Sequence, residues 1–155
     1  MSDEDFLRKA IELSVNNVKN GGGPFGAVVV KDGRIVSTGF NQVVELNDPT
    51  AHAEVMAIRK AAANLNSFDL SGCVIYSSCE PCPMCLSAIY WARIEKIFFG
   101  AGKEEAARYG FDDLWIGEEL KKNIEERAIP MVRLLSGEAL KAFEDWKDKE
   151  DKQPY

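Results

Sequence analysis

Two short stretches constrain this chain more than any others: His52-Ala53-Glu54, and Cys79-Glu80-Pro81-Cys82-Pro83-Met84-Cys85. Cys82 and Cys85 are three residues apart, so on a helix they share a face and both sulfurs can reach one small ion. Proline suits the first helical position, where its missing N–H would have had no partner anyway. Pro83 therefore opens a helix and Cys82 stands at its N-terminus, where the helix dipole favours thiolate over thiol. His52 is the only histidine. Glu54 follows two residues later, too far around a helix to face the same way. The pair makes sense in a first turn, with one side chain on the ion and the other leaning over it. Thr50 is the expected cap of that turn, with Asp48 and Pro49 shaping the entry.

Two thiolates and one imidazole are ligands that zinc accepts, and three protein ligands leave a fourth position for water. The thiolates cancel the ion's charge, so such a water is less acidified than on an all-histidine site and needs a base. Glu54 is the residue placed to take its proton and return it elsewhere. Two other readings use the same cysteines. A redox pair would explain Cys82 and Cys85 but not His52 and Glu54. A closed structural site of Cys79, Cys82, Cys85 and His52 would leave Glu54 without a task.

The 155 residues suffice for one domain with a proper core. Hydrophobic residues make up 46%, yet no apolar run reaches membrane-spanning length. The acidic start, Met1 to Phe6, does not read as an export signal. With four cysteines at metal-like spacing, a reducing cytoplasm is the expected location. The net charge of −6 and pI near 4.9 argue against a nucleic-acid partner, which calls for a positive footprint. They suit a small neutral substrate.

Hydrophobic spacing predicts a helix over Asp3–Lys19, capped by Ser2 or Asp3, burying Phe6, Leu7, Ala10, Ile11 and Val18, and stopped by Gly21-Gly22-Gly23. Those glycines are no phosphate loop, because they follow a helix and open a strand. Ala27–Lys31 and Arg34–Phe40 form a hairpin turned at Asp32-Gly33. The unbroken apolar run of its first strand implies helices on both faces. A loop over 41–49 leads to a helix over about 50–65 with Val55, Ala57, Ile58, Ala61 and Ala62 in the core. Next come a strand at Cys73–Ser77, a helix over 83–92, a strand at Ile94–Gly100 and a short helix at Lys103–Arg108. Another short helix is expected over 117–123. Ile129–Leu134 is expected as a fifth strand, at an edge or starting with Pro130. Ser136 caps a last helix with Leu140, Phe143 and Trp146 as a buried stripe, followed by a charged tail. The expected fold is a three-layer α/β/α sandwich around a five-stranded mixed sheet. The two metal helices begin at one end of that sheet, where such folds place ligands. Residues 1–155 read as one domain, with 148–155 as a C-terminal arm.

His-x-Glu followed by Pro-Cys-x-x-Cys is the signature of zinc-dependent nucleobase deaminases, and the chain resembles the cytidine deaminase-like superfamily. Its surroundings are similar to the bacterial guanine deaminases. Gly23–Ala27, Asn47–Glu54, Ser78–Cys85, Ala88–Arg93, Gly110-Phe111-Asp112-Asp113, Glu125-Glu126-Arg127 and Tyr155 carry that likeness. The resemblance implies Zn2+ held by His52, Cys82 and Cys85, with Glu54 as proton shuttle. It implies a substrate site of Asn41, Phe25, Asp113, Trp91, Ala53 and Tyr155. Asn41 would offer donor and acceptor to a purine edge, Phe25 would stack on the base, and Asp113 would accept its N–H groups. Trp91 and Tyr155 would line or close the pocket. The implied reaction is hydrolysis of guanine to xanthine and ammonia. The implied assembly is a homodimer, with the arm over its own or its partner's pocket. Rival readings are a tRNA adenosine deaminase, which shares the motif core but needs a basic groove, a cytosine- or triazine-type aminohydrolase, and a zinc-stabilised binding module without chemistry.

Overall fold

The computed structural model describes residues 1–155, which form two compact units, Met1–Ile116 and Gly117–Tyr155. The first opens with helix α1 (Asp3–Lys19), whose N-terminus is closed reciprocally. The Ser2 hydroxyl accepts from the Asp5 N–H, and the Asp5 carboxylate accepts from the Ser2 N–H. Its buried face is Phe6, Ala10, Ser14 and Asn17. Ile11 and Val18, expected inside, are exposed. The stripe that meets the sheet is rotated toward small and polar residues, because the sheet approaches closely: a Cβ on Gly26 would collide with the backbone of Ala10 and Ser14.

Strands β1 (Gly26–Lys31) and β2 (Arg34–Phe40) form the expected hairpin. Asp32 and Gly33 both have positive φ, 49° and 70°, the two-residue turn whose twist matches the strands. A short helix α2 (Val43–Leu46) interrupts the following loop. Helix α3 (Ala53–Leu65) starts later than expected, with His52 at its N-cap. Thr50 does not cap it, since its hydroxyl and N–H both donate to the Asp48 carboxylate. Strand β3 (Cys73–Cys79), helix α4 (Pro83–Trp91) and strand β4 (Lys96–Ala101) follow. Helices α5 (Lys103–Arg108) and α6 (Leu114–Lys121) come next.

The sheet has four strands in the order β2-β1-β3-β4, antiparallel except for the β3/β4 pair. Side chains alternate across β1 and β3, as strand geometry requires. Val28, Val30 and Tyr76 pack with Phe6 and Ala10 of α1. Ala27, Val29, Cys73 and Ile75 pack on the other side with Ala53, Ala57 and Ala61 of α3 and Ile89 of α4. The double burial expected for β1 is thus realised, as an α/β fold with a mixed sheet.

The expected fifth strand is absent. Ile129–Leu134 is irregular and exposed, and its hydrophobic side chains Ile129, Met131, Val132 and Leu134 lie open. It belongs to the second unit, which contains no strand with which to pair, and Pro130 removes one ladder donor. Within that unit a single 3₁₀ turn (Ile124–Glu126) precedes helix α7 (Ser136–Asp148). The Glu119 carboxylate accepts from the Ala128 N–H at 2.7 Å. Leu135 rather than Ser136 occupies the N-cap of α7. Leu140, Phe143 and Trp146, expected as a buried stripe, are exposed. The spacing describes one apolar face of α7 correctly, but in the single chain the unit is too small to bury it.

Strand β2 approaches the backbone of α3 closely at Gly39. A Cβ on Gly39 would fall 2.6 Å from the Ala57 nitrogen and closer still to the Ala53 carbonyl oxygen. Gly39→Ala should therefore force helix and strand apart and lower stability by about 1–3 kcal/mol. The expected outcome is a reduced urea midpoint with unchanged slope; an unaltered midpoint would contradict this packing.

Candidate metal centre and adjoining cavity

The N-termini of α3 and α4 deliver three ligand atoms to one point. His52 is the N-cap of α3, and Cys82 is the N-cap of α4 with Pro83 at its first position. Cys85, one turn into α4, is fully buried. The His52 Nδ1 lies 3.5 Å from each sulfur, and one ligand atom from each of the three residues lies within 4.8 Å of the others. A tetrahedral zinc with S at ~2.3 Å and N at ~2.0–2.1 Å has S···N edges of about 3.6 Å. The donor set and its spacing therefore fit zinc. Cys79 is not part of this group, so the four-ligand closed site does not form.

Electrostatics support one anionic sulfur, that of Cys82, at the helix start, with Cys85 as its protonated donor. Cys82 is pulled down to about 4, chiefly by accepting the Cys85 S–H and also by His52 and the Cys85 N–H. Its counterpart Cys85 is held up, because its proton is the one shared with Cys82 and because it is buried. His52 is raised above the usual imidazole range, mainly by its contact with Cys82. An ion binding here would displace the protons of Cys85 and of the ring.

Glu54 is 5% exposed, in the first turn of α3. Burial raises its carboxyl above the ordinary range, opposed by a backbone N–H and by the Ser77 hydroxyl, which donates to Oε1 at 2.8 Å. The glutamate lines a cavity of about 500 Å³ together with His52 and Cys82. Phe25, Asn41 and Asp113, singled out from the sequence, line the same cavity. Phe25 meets Phe111 edge-on at 5.0 Å. The Asn41 Oδ1 accepts from the Val43 N–H, and its carbonyl accepts from the Asn17 side chain. Asp113 is raised by burial first, then by the negative Cys82 sulfur.

The side chains of Ala53 and Trp91 do not line this cavity. Ala53 is fully buried in the core, so its side chain is not in the cavity. Trp91 lines a separate groove with Ser87, Tyr90 and Arg93. Tyr155 belongs to the second unit and is exposed. The sequence reading missed Val44, Met84, Phe111, Lys103 and Ile116, all of which line the cavity. Phe111 and Met84 stand inside the Gly110–Asp113 and Ser78–Cys85 motifs, which were the signal available. Val44 and Ile116 are set by the turns of α2 and α6, which no motif marks.

The fold and the His52/Cys82/Cys85 group place the chain among the zinc-binding deaminases. A family model described as the cytidine and deoxycytidylate deaminase zinc-binding region matches residues 1–101, and the chain belongs to that family. It is 50% identical over 156 aligned residues to the guanine deaminase of Bacillus subtilis, covering 100% of both chains. The crystal structure of that protein superposes with a TM-score of 0.97, covering 100% of this chain and 99% of the other. Guanine deaminase from Nitrosomonas europaea is 32% identical with a TM-score of 0.70, over 72% of this chain and 65% of that one. A tRNA-specific adenosine deaminase of Aquifex aeolicus is 46% identical over 101 residues, covering 65% of this chain and 67% of its own.

In the metal-free protein, Cys82 should alkylate at a rate nearly independent of pH between about pH 6 and pH 8, because its thiolate is already formed. An ordinary thiol would accelerate about tenfold per unit over that range. Peptide mapping after iodoacetamide treatment checks this: added zinc should protect Cys82, and buried Cys73 should stay unlabelled. A steep pH dependence at Cys82 would contradict its thiolate state.

Proposed function

We propose that the protein is a zinc-dependent aminohydrolase that converts guanine and water to xanthine and ammonia. The observation that carries this reading is the sharing of one cavity. A possible metal centre, a buried carboxyl, a paired aromatic wall and a second carboxyl face the same space. Guanine is flat and rich in N–H donors, so it suits stacking on Phe25 beside Phe111 and donation to Asp113. Base–aromatic stacking is worth ~1–3 kcal/mol per base. Asn41 would meet the mixed donor and acceptor edge, and Ala53 would contribute only its main chain. The full-length likeness to a guanine deaminase supports the same substrate.

His52, Cys82 and Cys85 would hold zinc. When bound, zinc acidifies water and stabilises developing negative charge on oxygen. Glu54 takes a proton from the attacking water as its oxygen bonds to C2 of the base. It passes that proton to the neighbouring ring nitrogen. A second proton, taken from the new hydroxyl, goes to the exocyclic nitrogen, which leaves as ammonia while the C2 carbonyl forms. Burial suits Glu54 to this task, because it brings the affinities of carboxylate and donor closer.

A tRNA adenosine deaminase is the second reading, favoured by the likeness to the Aquifex aeolicus protein. Charge weighs against it. Glu54, Glu80, Asp112 and Asp113 line the cavity, with Lys103 and His52 as its basic residues, and the whole chain carries −6. A phosphate backbone needs the opposite sign.

The whole chain would act as one deaminase domain in the cytoplasm, as a homodimer. Trp91, Tyr155 and the arm 148–155 would close a site, either of the same chain or of the partner. The exposed apolar face of α7 supports a role for association.

Ammonia release should be measured with guanine, adenosine-containing tRNA, cytidine and related heterocycles. Guanine should be the preferred substrate, and activity confined to tRNA would overturn this reading. Glu54→Gln should retain zinc and lose about 10²–10⁴-fold in kcat. A Gln variant as active as the parent would remove Glu54 from the mechanism. Deleting Lys152–Tyr155 should weaken turnover without moving the thermal midpoint. Unchanged kinetics would end the role of the arm.

A further inference from the structure

Ser77 stands near the end of β3, paired with Ala27 of β1 and Phe99 of β4. Strand alternation puts it on the same face as Cys73, Ile75 and Cys79, the face covered by α3. It is 2% exposed. A hydroxyl so enclosed requires a partner, and the one it has is Oε1 of Glu54, at 2.8 Å. Two residues further along the strand, Cys79 lines the cavity, as does Glu54 itself. The serine therefore approaches the carboxyl from the sheet, and it does not itself line the cavity. A valine here would satisfy the packing of a strand interior at least as well.

We infer that Ser77 is a positioning residue, which commits Oε1 of Glu54 to one hydrogen bond and so confines the shuttled proton to Oε2. The inference deepens the reading of Glu54 as proton carrier and rests on it. With Oε1 accepting the serine O–H, a proton from water lands on Oε2, and the same oxygen releases it to the substrate nitrogen. No rotation of the carboxyl is needed between the two transfers. The bond also helps to fix the orientation of the buried glutamate side chain. Ser77 touches no substrate in this scheme; it acts through Glu54.

The test uses the zinc-loaded, full-length protein and the variants Ser77→Ala, Ser77→Thr and Glu54→Gln. Loss of the hydroxyl should lower kcat about 10- to 100-fold, the usual cost of removing a partner that orients a group at a metal site. KM should stay within about twofold, because ground-state binding is untouched. Zinc content should remain one per chain. Ser77→Thr, which keeps the hydroxyl, should recover most of the rate. Infrared spectroscopy supplies a readout independent of turnover. The carboxylate stretch that vanishes in Glu54→Gln should shift in Ser77→Ala and return in Ser77→Thr. If Ala does not fold, Ser77→Cys, a weaker donor of similar size, should give a smaller loss and a smaller shift. Parental kcat without the hydroxyl, a loss explained by missing zinc, or an unmoved carboxylate band would each overturn the assignment. An active Glu54→Gln would instead defeat the proton-carrier reading itself, so the two failures are distinguishable.

Discussion

Everything at the candidate site depends on two helix N-termini arriving at one point. His52 caps α3 and Cys82 caps α4, and neither helix supplies the cluster alone. The sheet brings them together, since both helices pack on the same face of β1 and β3. Helix starts also suit the chemistry, because unpaired N–H groups favour anionic sulfur there. The Cys85 N–H donates to the Cys82 sulfur, so the backbone already stabilises the charge that a cation would meet.

The ligand group and the buried carboxyl of the cavity come from the starts of α3 and α4. Much of the remaining lining comes from connecting segments, with Phe25 just before β1, Asn41 after β2, and Phe111 and Asp113 after α5; Val44, Met84 and Ile116 are added by α2, α4 and α6. The proposed chemistry sits on elements that the core holds still, while much of the wall sits on segments that can vary. Asp113 combines both roles, because it is a loop residue whose charge is felt at His52 and Cys79.

Much of this was legible in the residues themselves. The α1 boundaries, the Asp32-Gly33 hairpin, Pro83 opening α4 and the pairing of Cys82 with Cys85 all follow from local rules: capping, turn chemistry and helical spacing; His52 joins the two cysteines only through the paired His-x-Glu and Pro-Cys-x-x-Cys motifs. What failed depended on long-range packing. Ile129–Leu134 has strand composition, but β structure needs a neighbouring strand and its own unit has none. Thr50 has capping chemistry, yet Asp48 captures its hydroxyl first. Ile11 and Val18 have the right character for a core and the wrong side of α1, because Gly26 draws Ala10 and Ser14 against the sheet. Ser77 carried no motif at all; its contact with Glu54 exists only once β3 lies beneath α3.

The strand polarity of the hairpin has a further consequence. Phe25 precedes β1 and Asn41 follows β2, so the cavity lies at that end, while Asp32 and Gly33 turn at the opposite end, exposed. The length of the strands insulates one end from the other. An inserted loop, a label or a tether placed at the hairpin tip would sit on the quiet side of the molecule, and the fold itself offers an attachment point remote from its chemistry.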